Sequence, residues 1–200
     1  MQLHSDSFQH RQPLAPDFAL GAPGGGFGGN RNPHLAWDGV PAGTRSFVLL
    51  CVDPDVPTNP ALVADAATPI PEAHPRGEFV HWVVADIPAD VRAIAAGSCS
   101  EGMTTKGKPA GRDAGGLRGL NDYTGWFAGD PALAGQYYGY DGPYPPAHDL
   151  RTHRYFFRLF ALDVPSLGLA QPFTAADVLR AMHGHVLDEA AIYGTYSLHG

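Results

Sequence analysis

The stretch LLCVDPDVPTNP, residues Leu49–Pro60, joins an apolar run to two aspartates separated by a proline. The run extends back to Ser46, and its β-branched and aromatic residues predict a buried strand over Ser46–Val52. Pro54 favours an extended backbone at Asp53 and provides no N–H for a strand ladder. We therefore expect the strand to end where the Asp53 carboxylate can turn inward. The alternative is a turn in which the two aspartates cap local N–H groups.

Two further apolar runs have the same character. EFVHWVVADI covers Glu78–Ile87 and is closed by Pro88, and RYFFRLFALD covers Arg154–Asp163 and is closed by Pro165. The segments between the runs are rich in Gly, Pro, Asn and Asp, and they lack the long amphipathic pattern of alternating β-α units. The sequence therefore predicts a mainly β protein, folded as an antiparallel β-sandwich.

Helices are expected to be few. Thr174 and Asp177 form a capping pattern for a C-terminal helix. One face of this predicted helix carries Val178, Met182, His185, Val186 and Glu189. A short additional helix is predicted near Ala89–Ala96, and Asn59–Gly77 is predicted to be a long surface loop. Neither a repeat nor a domain boundary is visible, so residues 1–200 are expected to form one domain.

Composition narrows the function classes. The chain has 200 residues, of which 44% are hydrophobic, and its formal net charge is −7. This charge argues against binding to nucleic acid or anionic membranes through net charge, but it leaves room for a local anion site. Cys51 and Cys99 form neither a disulfide framework nor a Cys-x-x-Cys motif. No signal peptide and no membrane span are visible, so a cytoplasmic location is expected.

Strand alternation places one histidine in each of two strands. In the second run, His81 is predicted to share a face with Phe79 and Val83, while Trp82 points the opposite way into the core. In the third run, His153 is predicted to share a face with Tyr155, Phe157 and Leu159. Each histidine would then lie among apolar neighbours, where a purely structural role is the usual outcome.

The two histidines and a carboxylate admit a second interpretation. Together with Asp53 or Asp55, His81 and His153 would make a two-histidine, one-carboxylate set. Such a set binds Zn²⁺ or Fe²⁺ and supports hydrolysis or oxygen chemistry. A metal-dependent hydrolase is therefore the alternative to a binding protein.

Four segments contain distinctive motifs. The first, Asn30–Thr58, contains Asp-Pro-Asp-x-Pro, and the second, FVHWVVADIP over Phe79–Pro88, is centred on a histidine. The third is GLNDYTGWFAGD over Gly119–Asp130. The fourth, GPYPPAHDLRTHRYFFRLFALD over Gly142–Asp163, combines a Gly-Pro-x-Pro-Pro turn with His-Arg-Tyr. Together, the four segments resemble the phosphatidylethanolamine-binding protein family, in particular its bacterial YbhB/YbcL-like, Raf kinase inhibitor-like branch.

The resemblance implies a small cavity for anions such as phosphate, acetate or a phosphorylethanolamine head group. By position, its lining would comprise Asp53, His81, the turn from Gly142 to Pro146 with Tyr144 and Pro145, His153 and Tyr155. The resemblance also implies a non-enzymatic protein without a cofactor. It suggests a protein partner such as a kinase or protease, and it allows a homodimer. An aromatic residue near the C-terminus, Tyr193 or Tyr196, would close the pocket.

The residue types fit an acceptor-rich anion. His81 and His153 could each donate a hydrogen bond, Tyr155 adds a hydroxyl, and the turn at Gly142 adds a backbone N–H. Asp53 would accept from one histidine and fix its tautomer. The sequence leaves open which histidine this is, and whether Trp126 and Phe127 surround the mouth of the pocket or pack onto the sheet.

Overall fold

The computed structural model describes residues 1–199. Nine strands form two antiparallel sheets, which confirms the predicted mainly β, antiparallel architecture. The strands are β1 (Gln2–His4), β2 (Leu35–Asp38), β3 (Ser46–Pro57), β4 (Arg76–Pro88), β5 (Ala93–Ile94), β6 (Arg112–Asp113), β7 (Gly116–Arg118), β8 (His153–Leu162) and β9 (Val186–Tyr196). The helices are α1 (Pro60–Ala64), α2 (Tyr123–Trp126) and α3 (Ala175–Ala181). No described helix is long and apolar enough to cross a membrane.

A six-stranded sheet, ordered β6-β7-β4-β3-β8-β9, forms the centre of the molecule. One face packs against the small sheet β1-β2-β5, through residues such as Trp37, Phe47 and Phe157. The other face is covered by α3 and the segment before it, where Phe173 and Val178 contact Leu50 and Phe160. Burial on both faces explains why β3 is a continuous apolar run instead of an alternating one.

The predicted alternation along β4 is wrong at two β-bulges. Cys51 pairs with Trp82 while Val52 pairs with Val80, so His81 is an extra residue in the ladder. An extra residue places two neighbours opposite one partner. His81 consequently lies on the same side of the sheet as Trp82, and not opposite to it. Trp82 is nevertheless completely buried in the core, as predicted.

The second bulge in β4 lies near Asp86, whose φ is +59°. It returns Ile87 to the face that carries Trp82, whereas Val83 and Ala85 pack under α3. In β8, by contrast, the predicted alternation is confirmed: Tyr155, Phe157 and Leu159 share one core cluster.

The C-terminal helix begins as predicted but ends early. Thr174 and Asp177 form a reciprocal capping box at the start of α3, and the helix ends at Ala181. Gly184 has a φ of +83° and redirects the chain. Residues 186–196 then pair with β8 as an edge strand, so Val186 and Glu189 belong to β9. Pairing with β8 overrides the local helical pattern.

Two other local predictions also need correction. The region Ala89–Ala96 contains the short strand β5 and turns, and no helix. The predicted loop Asn59–Gly77 includes α1, which Asn59 caps by accepting from the Ala61 N–H. This helix forms part of the wall of the cavity described below.

Candidate functional site

A small cavity opens where β3, β4 and β8 meet the loops at one end of the large sheet. Its volume is ≈ 50 Å³, room for about four water-sized groups and therefore for a head group of phosphate size. Six of the predicted site residues line it: Asp53, His81, Tyr144, Pro145, His153 and Tyr155. Val56, Pro57, Val63, Phe79, Tyr123, Trp126 and Pro146 complete the lining.

His153 is held between two carboxylates at the floor of this cavity. Its Nδ1 lies 2.7 Å from Asp53 Oδ2, and its Nε2 lies 3.0 Å from Asp149 Oδ2. Burial alone would lower the pKa of His153, but the hydrogen bonds and charges of Asp53 and Asp149 outweigh burial and raise it. Ionised carboxylates only accept hydrogen bonds, so this geometry suits an imidazolium that donates from both nitrogens. The partner of Asp53 is therefore His153.

Three arginines extend the network. Arg76 pairs with Asp149 through two hydrogen bonds of 2.5 and 3.1 Å. Arg154 binds both oxygens of Asp55, and Arg151 Nη1 lies 3.2 Å from Asp55 Oδ1. Burial alone would raise the pKa of Asp55, but the hydrogen bonds from Arg154 dominate and lower it.

The charges of this network are nearly balanced. The carboxylates of Asp53, Asp55 and Asp149 match the guanidinium groups of Arg76, Arg151 and Arg154. Protonated His153 then adds one positive charge beneath the cavity. Asp122, which also faces His81, cancels this charge, so the charges around the cavity balance although the net charge of the chain is −7.

His81 differs from His153 in its hydrogen bonds. It occupies the bulge of β4, and its Nδ1 lies 2.8 Å from the backbone oxygen of Asp141. A carbonyl oxygen only accepts, so Nδ1 carries a hydrogen. Nε2 makes no hydrogen bond to any of residues 1–199. Burial lowers the pKa of His81 despite the opposing charges of Asp53 and Asp141.

A buried polar cluster holds Asp141 in place. Its Oδ1 accepts from Lys108 Nζ at 2.6 Å and from Asn30 Nδ2 at 2.8 Å, and its Oδ2 accepts from Asn121 Nδ2 at 2.9 Å. All four side chains are buried. With its carboxylate fixed from three directions, the backbone oxygen of Asp141 keeps a constant position under His81.

Tyr155 lines the site and carries a buried hydroxyl close to the Asp53 carboxylate. The residue is 1% exposed, and its Oη has no hydrogen-bond partner within the described chain. Its ring packs edge-on against His81, with the centroids 5.2 Å apart. Burial, with the nearby charge of Asp53, raises the pKa of Tyr155 well above its ordinary value, so the hydroxyl keeps its proton. A buried O–H without an acceptor destabilises the folded protein, and a bound ligand that accepts its hydrogen bond would remove this cost.

Gly142 does not play the predicted role. It is absent from the cavity lining, and its N–H donates to Asn30 Oδ1 at 2.8 Å. A Cβ at this position would lie 2.2 Å from the backbone oxygen of Phe18, so the glycine permits close packing against the chain itself. Tyr144 is the one other residue of the turn 142–146 that has a backbone N–H. No described residue accepts from that N–H.

Aromatic residues surround the mouth of the cavity. Trp126 is 51% exposed and contacts the ring of Phe79, whereas Phe127 is buried against Tyr123. Trp126 and Phe127 therefore have different roles: Trp126 lies at the mouth, and Phe127 packs in the core. Tyr144, which also lines the cavity, is 40% exposed.

Neither C-terminal tyrosine lines the cavity. Tyr196 Oη donates to the backbone oxygen of Gly21 at 2.8 Å, and its side chain is buried in the core. Tyr193 packs against Phe156 and His10. The expectation that one of them closes the pocket is therefore wrong, because both are engaged elsewhere.

The metal-site alternative gains no support from this geometry. Among residues 1–199, no group of three or more His, Cys, Asp or Glu side chains is placed to hold a metal ion. His153 faces a carboxylate at each ring nitrogen, which leaves no lone pair for a metal.

The sequence alone did not identify several residues that build the site. Asp149 lies between the proline-rich turn and His153, Asp141 directly precedes Gly142, and Tyr123 belongs to the same loop as Trp126 and Phe127. Tyr123 Oη donates to the backbone oxygen of Gly142 at 2.8 Å. Each of these residues lies close in sequence to a motif of the predicted site, but its role depends on contacts with distant parts of the chain.

Comparison with known proteins agrees with this architecture. A sequence model described as phosphatidylethanolamine-binding protein matches residues 4–197. The UPF0098 protein of Aquifex aeolicus is 33% identical over 198 residues, covering 98% of this chain and 88% of that protein. The UPF0098 protein YbhB of Escherichia coli is 36% identical over 170 residues, covering 85% and 84% of the two chains.

Solved structures give the same result. The crystal structure of Escherichia coli YbcL, described as a member of the mammalian PEBP family, superposes with a TM-score of 0.71. That structure is 25% identical, and the match covers 98% of this chain and 97% of that one. The family model spans nearly all of the sequence, and the same fold recurs in a solved relative. The chain therefore belongs to the phosphatidylethanolamine-binding protein family.

Proposed function

We propose that the protein is a non-enzymatic binding protein whose cavity takes a small phosphate-ester anion, such as the phosphorylethanolamine head group. The observation that carries the proposal is the unpartnered hydroxyl of Tyr155, which lines a cavity of phosphate size next to the free Nε2 of His81. Tyr144 offers a backbone N–H at the same opening. A buried donor that lacks a partner in the free protein favours a ligand that accepts from it.

The local charges allow an anion. They balance around the cavity although the net charge of the chain is −7, and His153 itself does not contact the ligand in this proposal. It acts through Asp53, which it fixes by a 2.7 Å hydrogen bond. This assignment replaces the expectation from the sequence that both histidines donate to the anion.

A binding function needs fewer groups than a catalytic one. Hydrolysis of a phosphate ester requires an activated water or a nucleophile, and the acidic groups near His153 are already occupied by arginines or by His153. Modulation of a kinase or protease, a homodimer and a cytoplasmic location stay predictions from the resemblance and the sequence.

The test is isothermal titration of metal-stripped protein with phosphorylethanolamine. Tyr155→Phe removes one hydroxyl and keeps the ring, so its affinity should fall about tenfold, within the range for a hydrogen bond to a charged group. Tyr193→Phe is the matched control, because it removes a tyrosine hydroxyl far from the cavity lining. This control should bind like the wild type.

Three results would overturn the proposal. Wild-type protein that binds neither phosphorylethanolamine nor inorganic phosphate at millimolar concentration has no such anion site. Equal affinities for wild type and Tyr155→Phe would remove the observation on which the proposal rests. Binding that appears only after zinc is restored, accompanied by release of phosphate, would instead support the metal-dependent hydrolase.

A further inference from the structure

The cavity contains more hydrogen-bond acceptors than an anion site would be expected to have. With its hydrogen on Nδ1, neutral His81 presents a lone pair at Nε2. The Asp53 carboxylate also lines the cavity and can only accept. The remaining donors are the Tyr155 hydroxyl and the Tyr144 N–H. A fully ionised phosphate ester is itself an acceptor, so it would place oxygen lone pairs against the lone pair of His81.

Groups from several elements surround the His81 ring. Asp53 of β3, Asp122 before α2 and Asp141 of the loop each favour its charged form, and burial opposes that form. The aromatic rings of Tyr123 and Tyr155 pack edge-on at 5.5 and 5.2 Å. Burial outweighs these carboxylates, and an anion in the cavity would add a further interaction that favours the charged form of His81.

We infer that the cavity takes up one proton together with its anion, and that this proton lies between His81 Nε2 and a ligand oxygen. The inference rests on the proposed anion site. The proton comes from solvent, or arrives with the acidic form of the ester, and no covalent bond between heavy atoms changes. The bound species is therefore a hydrogen-bonded pair of His81 and a weakly acidic oxyanion, such as a phosphate monoester or a carboxylate.

The backbone oxygen of Asp141 makes uptake of this proton obligatory. Without that acceptor, the hydrogen on His81 could move from Nδ1 to Nε2, and the ring could donate to the ligand without taking up a proton. The 2.8 Å hydrogen bond to a pure acceptor, which Lys108, Asn30 and Asn121 hold in place through the Asp141 side chain, removes that option. Asp141 is thus a positioning residue that sets the form in which the ligand binds.

Titration calorimetry with phosphorylethanolamine tests the inference at roughly two pH units above the phosphate pKa of about 6, where the free ester is a dianion. The experiment is run in two buffers with different ionisation enthalpies. The difference between the two binding enthalpies, divided by the difference between the two ionisation enthalpies, should give nearly one proton taken up per ligand. Affinity should fall about tenfold per unit of rising pH, which is the limit for uptake of a single proton.

His81→Gln locates the proton. Glutamine presents an N–H without titrating, so its complex should show no proton uptake and a nearly pH-independent affinity above neutral pH. A second measurement does not depend on how well this variant folds. In ¹⁵N-histidine spectra of wild type, the His81 Nε2 resonance should change from an unprotonated to a protonated nitrogen on binding, and the His153 resonances should stay unchanged.

The outcomes separate this inference from the proposed function. Binding with equal heats in both buffers would overturn the inference and leave the anion site intact. Proton uptake that persists in His81→Gln, or an unprotonated Nε2 in the complex, would also overturn it. Absence of any binding by wild type would overturn the proposed function itself.

Discussion

The two histidines of the cavity have similar sequence surroundings and opposite environments. His153 contacts a carboxylate at each ring nitrogen, so its hydrogen bonds are complete before a ligand arrives. His81 uses one nitrogen on a backbone carbonyl and leaves the other facing the cavity. The pKa of His153 is raised and that of His81 is lowered, by carboxylates in the first case and by burial in the second.

The contrast assigns different roles to the two histidines: His153 stabilises the fold, and His81 is available to bind a ligand. A histidine between two carboxylates joins β8 to β3 and to the loop that carries Asp149, so it holds the floor together. A histidine with a free nitrogen can respond to a ligand. Changes on the His153 side should therefore alter folding more than binding, and changes on the His81 side should do the reverse.

Asp149→Ala should have the largest effect. It leaves Arg76 and protonated His153 buried without their shared carboxylate, and breaking a buried ion pair by removing one partner costs about 3–5 kcal/mol. The free energy of unfolding from urea titration measures this loss. The control is Asp163→Ala, which removes an exposed partner of His185 and should cost less than about 1 kcal/mol. Equal losses for the two variants would contradict a structural role for the His153 side.

The sequence predicted more of the fold than of the site. Long apolar runs identify β3, β4 and β8 because all three strands are buried, and β8 also keeps the predicted alternation. The His81 bulge was not predictable, because an extra residue shows only once β4 is aligned with β3. β9 was missed for a related reason: Val186 fits a helical face locally, and only pairing with β8 makes it a strand.

The sequence also predicted only part of the site. A carboxylate at the end of an apolar run predicts a partner, and Asp53 has one in His153. The expectation that the strand ends there is wrong, because β3 continues through an irregularity to Pro57. Choosing between His81 and His153 required distances between segments that lie far apart in sequence. The assignment of Gly142 as a donor was wrong because Asn30, 112 positions away, already accepts its N–H. Residue types thus indicated the chemistry, and tertiary contacts decided which atoms are free for it.

The next largest effect concerns stability against pH. The pKa of His153 is raised in the folded protein, so its contribution to stability is complete below its unfolded pKa of about 6.5. That contribution should be lost as pH rises through the folded pKa. Urea titrations of wild type across this range should show the decline, and His153→Gln should flatten it. A decline of the same size in His153→Gln would assign the titration to another group.

Two tyrosines at the cavity give a smaller and more selective comparison. Tyr123→Phe leaves the buried carbonyl of Gly142 without its donor, and we expect a loss of about 1 kcal/mol of unfolding free energy. Tyr155→Phe removes a hydroxyl that makes no hydrogen bond within residues 1–199, so stability should stay constant or rise while affinity for phosphorylethanolamine falls. If Tyr155→Phe destabilises the protein as much as Tyr123→Phe, its hydroxyl has a structural partner after all.

The smallest effect is expected at the mouth of the cavity. Trp126 is 51% exposed and contacts the Phe79 ring edge-on, so Trp126→Ala should change the free energy of unfolding by no more than about 0.5 kcal/mol. Affinity for phosphorylethanolamine should fall less than about threefold, because a head group held by His81 and Tyr155 lies below the rim. Titration calorimetry on Trp126→Ala and Tyr155→Phe compares the contribution of the mouth to binding with that of the cavity interior. A larger loss for the tryptophan variant would place recognition at the mouth, and it would reduce the contrast between the two histidines to a difference in stability alone.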